Sequence, residues 1–246
     1  GGDALIAENR NLLPLYLAHG ITAVRDCAGD LSPSVLQWRE QIANGELAGP
    51  RIFTSGPKIE GYKSIWPGDI EIGTTAELNA AFDQLQGWKV DFVKITDNTL
   101  SPELFMAAVK EADRRGLKTS AHVPYSLTLE EVSAAGLDSI PGGGAEILVD
   151  RVRQVIAPKK TTSDEWLDVM RQAHRLGMST TATMMYGHVE TVEERLEHLL
   201  RLRELQDETG GFTAFITWSY QPQHTELGGG EATGIEYLRM LALARV

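Results

Sequence analysis

Cysteine is nearly absent: Cys27 is the single one in 246 residues. One thiol excludes an intramolecular disulfide and a cysteine-based zinc site, and a cysteine-held iron–sulfur cluster needs three or four thiolates. No iron–sulfur cluster is therefore expected, and a reducing, cytoplasmic setting is the natural reading. Basic charge is also scarce. With 23 Lys and Arg against 34 Asp and Glu the net charge is −11, whereas nucleic acid or an anionic membrane selects a basic surface. Neither partner is expected. No stretch nears the roughly 18 apolar residues of a membrane span, and no signal-peptide pattern opens the chain. The first residue is Gly1 rather than Met, which points to a trimmed start. A G-x-S-x-G elbow is missing, as is a phosphate-binding loop, because Gly73-Thr74 lacks the required lysine.

What is present is an ordinary globular composition, 42% hydrophobic and 23% charged, at a length that suits one α/β barrel. Short β-branched or aromatic runs predict strands over 22–26, 51–55, 91–95, 119–123, 137–140, 180–185 and 212–218. Helical patterns lie between them, with a leading helix over 3–19 and a trailing one over 235–246. Five helix starts carry Thr followed three residues later by Glu: Thr74/Glu77, Thr128/Glu131, Thr162/Glu165, Thr191/Glu194 and Thr233/Glu236. In that capping box each side chain satisfies the other residue's orphan backbone N–H. Ser32-Pro33 and Ser101-Pro102 predict two further caps. Gly20, Gly45, Gly87, Gly116, Gly136 and Gly177 mark helix ends.

Strand–helix alternation of this kind means parallel strands with helical crossovers. The expected fold is an α/β, TIM-type (β/α) barrel with seven readable strands, treated as one domain over 1–246. A doubly wound open sheet is the alternative. An incomplete barrel leaves unpaired strand edges, so either a homodimer through the open edge or re-pairing of the first and last strands is expected.

The strings LLPLYLAHGITAVRDCAGD (12–30), ELAGPRIFTSGPKIEG (46–61), VDFVKITDN (90–98), KTSAHVPY (118–125) and AAGLDSI (134–140) follow one another in the first half. This half, about 3–140, resembles the metal-dependent amidohydrolase superfamily, in particular its imidazolonepropionase-like and dipeptidase-like members. From about residue 136 the text changes to AGLDSIPGGGAEILVD, STTATMMYGHVETVEERLEHLL and FITWSYQPQHT. Residues 136–246 resemble dehypoxanthine futalosine cyclase, a radical S-adenosylmethionine enzyme of menaquinone biosynthesis. The string GLDSI is common to both, which suggests a chimera of an amidohydrolase-like fragment (1–140) and a radical-enzyme-like fragment (141–246), engineered or recombined.

The amidohydrolase resemblance implies divalent metal at strand ends. Lys94 matches the family's carboxylated lysine and His122 its fifth-strand histidine. No H-x-H exists, Gly142 stands where the sixth-strand histidine belongs, and no closing Asp is recognisable. Two ligands cannot hold a catalytic zinc, so Lys94 and His122 are expected to be vestigial metal positions, Lys94 equally a plain strand-end lysine. The radical-enzyme resemblance implies a C-x-x-x-C-x-x-C loop, which is not in the sequence. It leaves Glu146, Tyr186, His188 and Trp218 as candidates for a ligand pocket, with Gln221 beside them. Gly142–Gly144 permits close approach of backbone to a ligand, or is merely a turn. Met184 and Met185 read as packing, His174 and His198 as surface or boundary positions, and His224 as part of a weak metal site. Tyr62, Trp66 and Tyr125 would sit over the barrel mouth.

The resulting expectation is a chimeric scaffold with no catalytic residue and no cofactor beyond adventitious zinc. One competing reading is a metal-dependent amidohydrolase in which Lys94 and His122 recruit His188 or His224. The other is a barrel that binds a nucleoside-like or anionic small molecule.

Overall fold

In the computed structural model residues 2–27 and 31–245 are described. Residues 28–30, which end the first amidohydrolase-like string, and Val246, the expected end of the trailing helix, lie outside them. The chain divides into two compact units, Gly1–Leu137 and Asp138–Val246. The division falls inside the GLDSI string.

The first unit runs α1 (Gly2–Ala18), β1 (Ala23–Asp26), α2 (Ser32–Ala43), β2 (Arg51–Thr54), β3 (Ile59–Gly61), β4 (Ile70–Ile72), α3 (Thr75–Gly87), β5 (Phe92–Ile95), α4 (Pro102–Arg114), β6 (Lys118–Ala121) and α5 (Leu129–Ala134). β1 pairs with β2, and a second sheet has the order β4-β3-β5-β6. The second unit runs β7 (Ser139–Ile140), α6 (Asp150–Ile156), α7 (Ser163–Arg175), β8 (Ser179–Tyr186), α8 (Val192–Thr209), β9 (Phe212–Ser219) and α9 (Gly234–Leu243), with sheet order β7-β8-β9. Every described strand pair is parallel. The α/β class with parallel strands is thus as expected. The strand count is not seven: among the described residues nine strands are distributed over three sheets, and β3 and β4 are the two that the sequence did not reveal.

Helix starts follow the capping signature closely. Thr128, Thr162 and Thr191 form complete capping boxes with Glu131, Glu165 and Glu194. Thr74 and Thr233 accept the backbone N–H of the helix but form no complete box, since Glu77 takes the Gly73 N–H with the Thr74 and Tyr62 hydroxyls and Glu236 takes Arg195. Ser101 caps α4 as expected. Ser32 does not cap: it is the first residue of α2, behind Leu31, and its buried hydroxyl has no partner among the described residues. Gly87 also departs from expectation, because the left-handed turn after α3 falls on Lys89 (φ 53°).

Apolar faces then decide the packing. In α7 the i, i+4, i+7 series Trp166, Met170 and Ala173, joined by Leu167, is buried, and it meets Leu202 and Leu205 of α8 over Ala182 of β8. Ile147, Val152, Met184, Tyr186 and Met240 form a second cluster of that unit. In the first unit Leu78, Phe82 and Leu85 of α3 and Phe105, Ala108 and Val109 of α4 are buried. Burying a large apolar side chain contributes about 1.5–3 kcal/mol, so these faces hold the helices on their sheets.

Candidate functional site

Each unit has polar residues gathered at the C-terminal ends of its strands, which is where parallel α/β sheets place ligands. In the first unit Cys27 follows β1, Lys58 precedes β3, Lys94 lies on β5, Thr96 and Asn98 follow it, and His122 follows β6. With Ile65 and Trp66 from the loop before β4 they line a cleft of about 420 Å³. The two sequence-predicted metal positions, Lys94 and His122, are therefore brought together. Among the described residues, however, no group of three His, Cys, Asp or Glu side chains is placed to hold a metal ion.

The electrostatics of the cleft are cationic. Lys94 is 9% exposed, and no hydrogen bond or carboxylate partner is found for its ammonium among the described residues. Burial depresses its pKa, Lys58 and Arg25 act in the same direction, and Cys27 and Asp97 oppose them. Lys58 is also buried, but its charge faces Asp69 at 3.4 Å and the Trp66 ring at 5.1 Å. Asp69 accepts from the Ser64 hydroxyl at 2.6 Å. The His122 ring is exposed at the rim, and desolvation followed by the Lys94 charge lowers its pKa.

Glu60 of β3 lies fully buried and organises the loop behind the cleft. It accepts the backbone N–H of Gly61 (2.8 Å), Asn98 (3.0 Å), Thr99 (3.1 Å) and Leu100 (3.0 Å), and the Asn98 amide at 2.8 Å. Burial alone would raise its pKa, but these hydrogen bonds outweigh it and hold the carboxyl below its ordinary value. Gly61 is required beside it, since a Cβ there would lie 2.3 Å from the Thr99 carbonyl oxygen. Tyr62 and Tyr125 are exposed, and Tyr62 donates to Glu77.

In the second unit the four predicted pocket residues have different fates. Glu146 is buried with φ 44° and pairs with Lys160. Tyr186 ends β8 fully buried. Its hydroxyl has no hydrogen-bond partner among the described residues, and the Arg195 guanidinium stands 5.0 Å from the ring centroid. Burial, then Glu236 and Tyr237, push its pKa up against the opposing Arg195. Trp218 of β9 is 39% exposed and registers with Met185 of β8. The His188 ring is wholly enclosed: Nε2 lies 2.9 Å from the Met185 carbonyl, and Nδ1 lies 2.8 Å from the Val189 amide and 2.9 Å from Glu190.

Glu190 escaped the sequence reading, although it sits two residues past His188 and just ahead of the capping Thr191. It is buried and accepts the N–H of Gly187 (2.6 Å) and His188 (2.9 Å) and Arg195 Nε (2.7 Å). Burial raises its pKa, but the His188 side chain and the backbone donors overcome that and bring it down to about 2. Arg153 was also missed. Its guanidinium donates to the carbonyls of Gly144 (3.0 Å), Ala145 (2.6 Å) and Thr161 (2.8 Å), while the Trp166 indole donates to Gly143 at 3.1 Å. The glycine run is consequently clamped. At Gly142 the close approach is to strand β8, for an added Cβ would lie 1.8 Å from the Thr181 carbonyl oxygen.

His198, expected at a surface or boundary position, is completely buried. Its Nδ1 accepts the Leu148 N–H at 2.9 Å, and burial pushes its pKa down to about 3. The His174 ring nitrogens face the hydroxyls of Thr209 (2.6 Å) and Thr180 (2.7 Å), so this ring ties α7 to the sheet. Met184 packs in the apolar interior, as expected, and His224 is exposed with φ 62°.

Residues 57–202 match the radical SAM superfamily. The chain belongs to that superfamily. It is 53% identical over 131 residues to aminodeoxyfutalosine synthase of Thermus thermophilus, an alignment covering 51% of this chain and 35% of the relative. It is 44% identical over 146 residues to cyclic dehypoxanthine futalosine synthase of Streptomyces coelicolor, covering 59% and 37%. The chain thus spans little more than a third of these relatives. Among solved structures, a crystallised amidohydrolase superposes with a TM-score of 0.55 at 16% identity, covering 99% of this chain and 64% of that one. That likeness is one of fold. The radical-enzyme resemblance is thus supported by sequence, and the amidohydrolase-like one as a resemblance of fold.

These findings correct three expectations. The inert scaffold is overturned, because the radical SAM relatives are enzymes. The hydrolase named as the enzyme of choice conflicts with the same relatives. The expectation of no iron–sulfur cluster is overturned for the family, whose members bind such a cluster and S-adenosylmethionine. The cluster's ligands are nonetheless not among these 246 residues, since the half-buried Cys27 supplies one thiolate where three or four are needed. No helix of the described residues is long and apolar enough to cross a membrane.

Proposed function

We propose that the chain carries the substrate-side part of a radical SAM enzyme acting on a futalosine-type nucleoside. The single observation that carries this reading is the 53% identity to aminodeoxyfutalosine synthase. The family's cluster and S-adenosylmethionine supply a carbon radical when bound; because the thiolates are not in these residues, the role read for this chain is binding and orientation. Trp218 offers an exposed indole face at the end of β9 for a nucleobase. Base–aromatic stacking contributes about 1–3 kcal/mol. Tyr186 faces the other side of the sheet, in the cluster with Met184 and Met240, and Glu146 is paired with Lys160, so Trp218 carries the stacking role alone, and His188 with Glu190 holds the turn after β8 in shape.

A hybrid enzyme tests the reading. Residues 138–246 replace the corresponding stretch of the Thermus relative, the cluster is reconstituted, and product is measured anaerobically. The hybrid is expected to turn over, and Trp218→Ala in it to lower kcat/KM about tenfold through lost stacking. A folded hybrid that holds its cluster and makes no product overturns the proposal.

A further inference from the structure

We infer that the cleft of the first unit binds a small oxyanion, a phosphate or carboxylate group, seated on Lys94. A buried cation without a partner is costly, by several kcal/mol for an ion fully withdrawn from water, and proteins pair such charges. Lys94 is nine-tenths buried, and no counter-ion for it occurs among the described residues. The acids around it are either spent or out of contact. Glu60 is consumed by four backbone N–H groups and the Asn98 amide, while Asp69 accepts from Ser64 through Oδ2 and turns Oδ1, which has no hydrogen bond among the described residues, to the Lys58 ammonium at 3.4 Å. Asp97 favours the ammonium through space, and Cys27 does the same, yet neither contacts it.

The surroundings complete a seat for an anion rather than a cation. Lys58 lines the same cleft with its charge offset by Asp69 at 3.4 Å, so Lys94 is the cation left there to attract an oxyanion. The His122 ring, with no side-chain partner among the described residues, stands at the rim of the same cleft. The 420 Å³ volume holds a phosphate or carboxylate with room for an apolar body against Ile65 and Trp66. This seat is independent of the nucleoside reading above, which uses residues of the second unit.

Titration calorimetry of the full chain with inorganic phosphate and, separately, acetate provides the test, with chloride holding ionic strength constant. Saturable binding is expected, weakened about tenfold or more by Lys94→Met and by no more than about threefold by Lys94→Arg. Tighter phosphate assigns a phosphoester group, and tighter acetate a carboxylate. A second measurement avoids mutation altogether. Mass mapping of lysine acylation should find that the bound anion slows labelling of Lys94 and leaves the exposed Lys63 and Lys110 unchanged. Equal binding by Lys94→Met, absence of saturation by about 20 mM of either anion, or uniform protection of all lysines overturns the inference.

Discussion

Two buried carboxylates, one in each unit, solve the same physical problem in different ways. Glu60 is held by neutral donors, the backbone N–H groups of Gly61 and of residues 98–100. Glu190 is held by a cation and an imidazole, Arg195 and His188, together with two backbone donors. The first arrangement fixes a loop and leaves the nearby lysine charge uncompensated. The second neutralises itself, so the turn after β8 presents little free charge. The difference teaches where a ligand is wanted: beside Lys94, the charge is unfinished.

The contrast can be broken most forcefully at Glu60. Glu60→Ala orphans four N–H groups at once, those of Gly61 and Leu100 buried and those of Asn98 and Thr99 part-buried. At about 1–3 kcal/mol for an unsatisfied buried donor, and with partial relief by water, a loss of about 3–5 kcal/mol is expected in urea unfolding. An unchanged midpoint would mean that the loop rearranges freely. Acid sharpens the contrast at Glu190. Its pKa in the folded state is held down to about 2, below the ordinary carboxylate value of 4.5. A depressed carboxylate adds stability above its unfolded pKa and loses it as pH falls through the folded one. Roughly 3 kcal/mol should therefore disappear between about pH 4.5 and 2, and Glu190→Gln should flatten that part of the stability curve. Retention of the full slope in the variant would remove Glu190 from the account. The smallest effect is at the caps. Thr191→Ala, in a complete box, should cost about 1 kcal/mol, and Thr233→Ala, in a half-formed one, less. Equal losses would show that the reciprocal Glu194 bond adds nothing.

Much of this was legible in the sequence because helix starts are local. The Thr-x-x-Glu spacing located α3, α5, α7, α8 and α9, and β-branched runs located the longer strands. β3 and β4 escaped because each has three residues, and Trp66-Pro67-Gly68 in their connection reads as loop. With them went Lys58, which lines the cleft, and Glu60 and Asp69, which support it from behind. Lys94 and His122 were visible from their strand-end positions, but the missing counter-ion is a three-dimensional fact. His198 misled for the opposite reason. Charged neighbours in α8 suggested a wet face, whereas the ring accepts a backbone N–H from the Ile147–Val149 segment and is drawn inward. Glu190 and Arg153 are ordinary surface residue types, and nothing in their spacing announces that they are buried.

The glycine run before α6 bears on how this protein can be altered. Position 142 has no room for a methyl group against Thr181, and position 144 has φ 81°, but a Cβ at Gly143 meets nothing within 4 Å and its φ is not positive. A library randomised over these three codons should therefore recover variety at the middle one and glycine at its two neighbours. That makes Gly143 the attachment point of choice for a fluorophore or crosslinker reporting on the second unit.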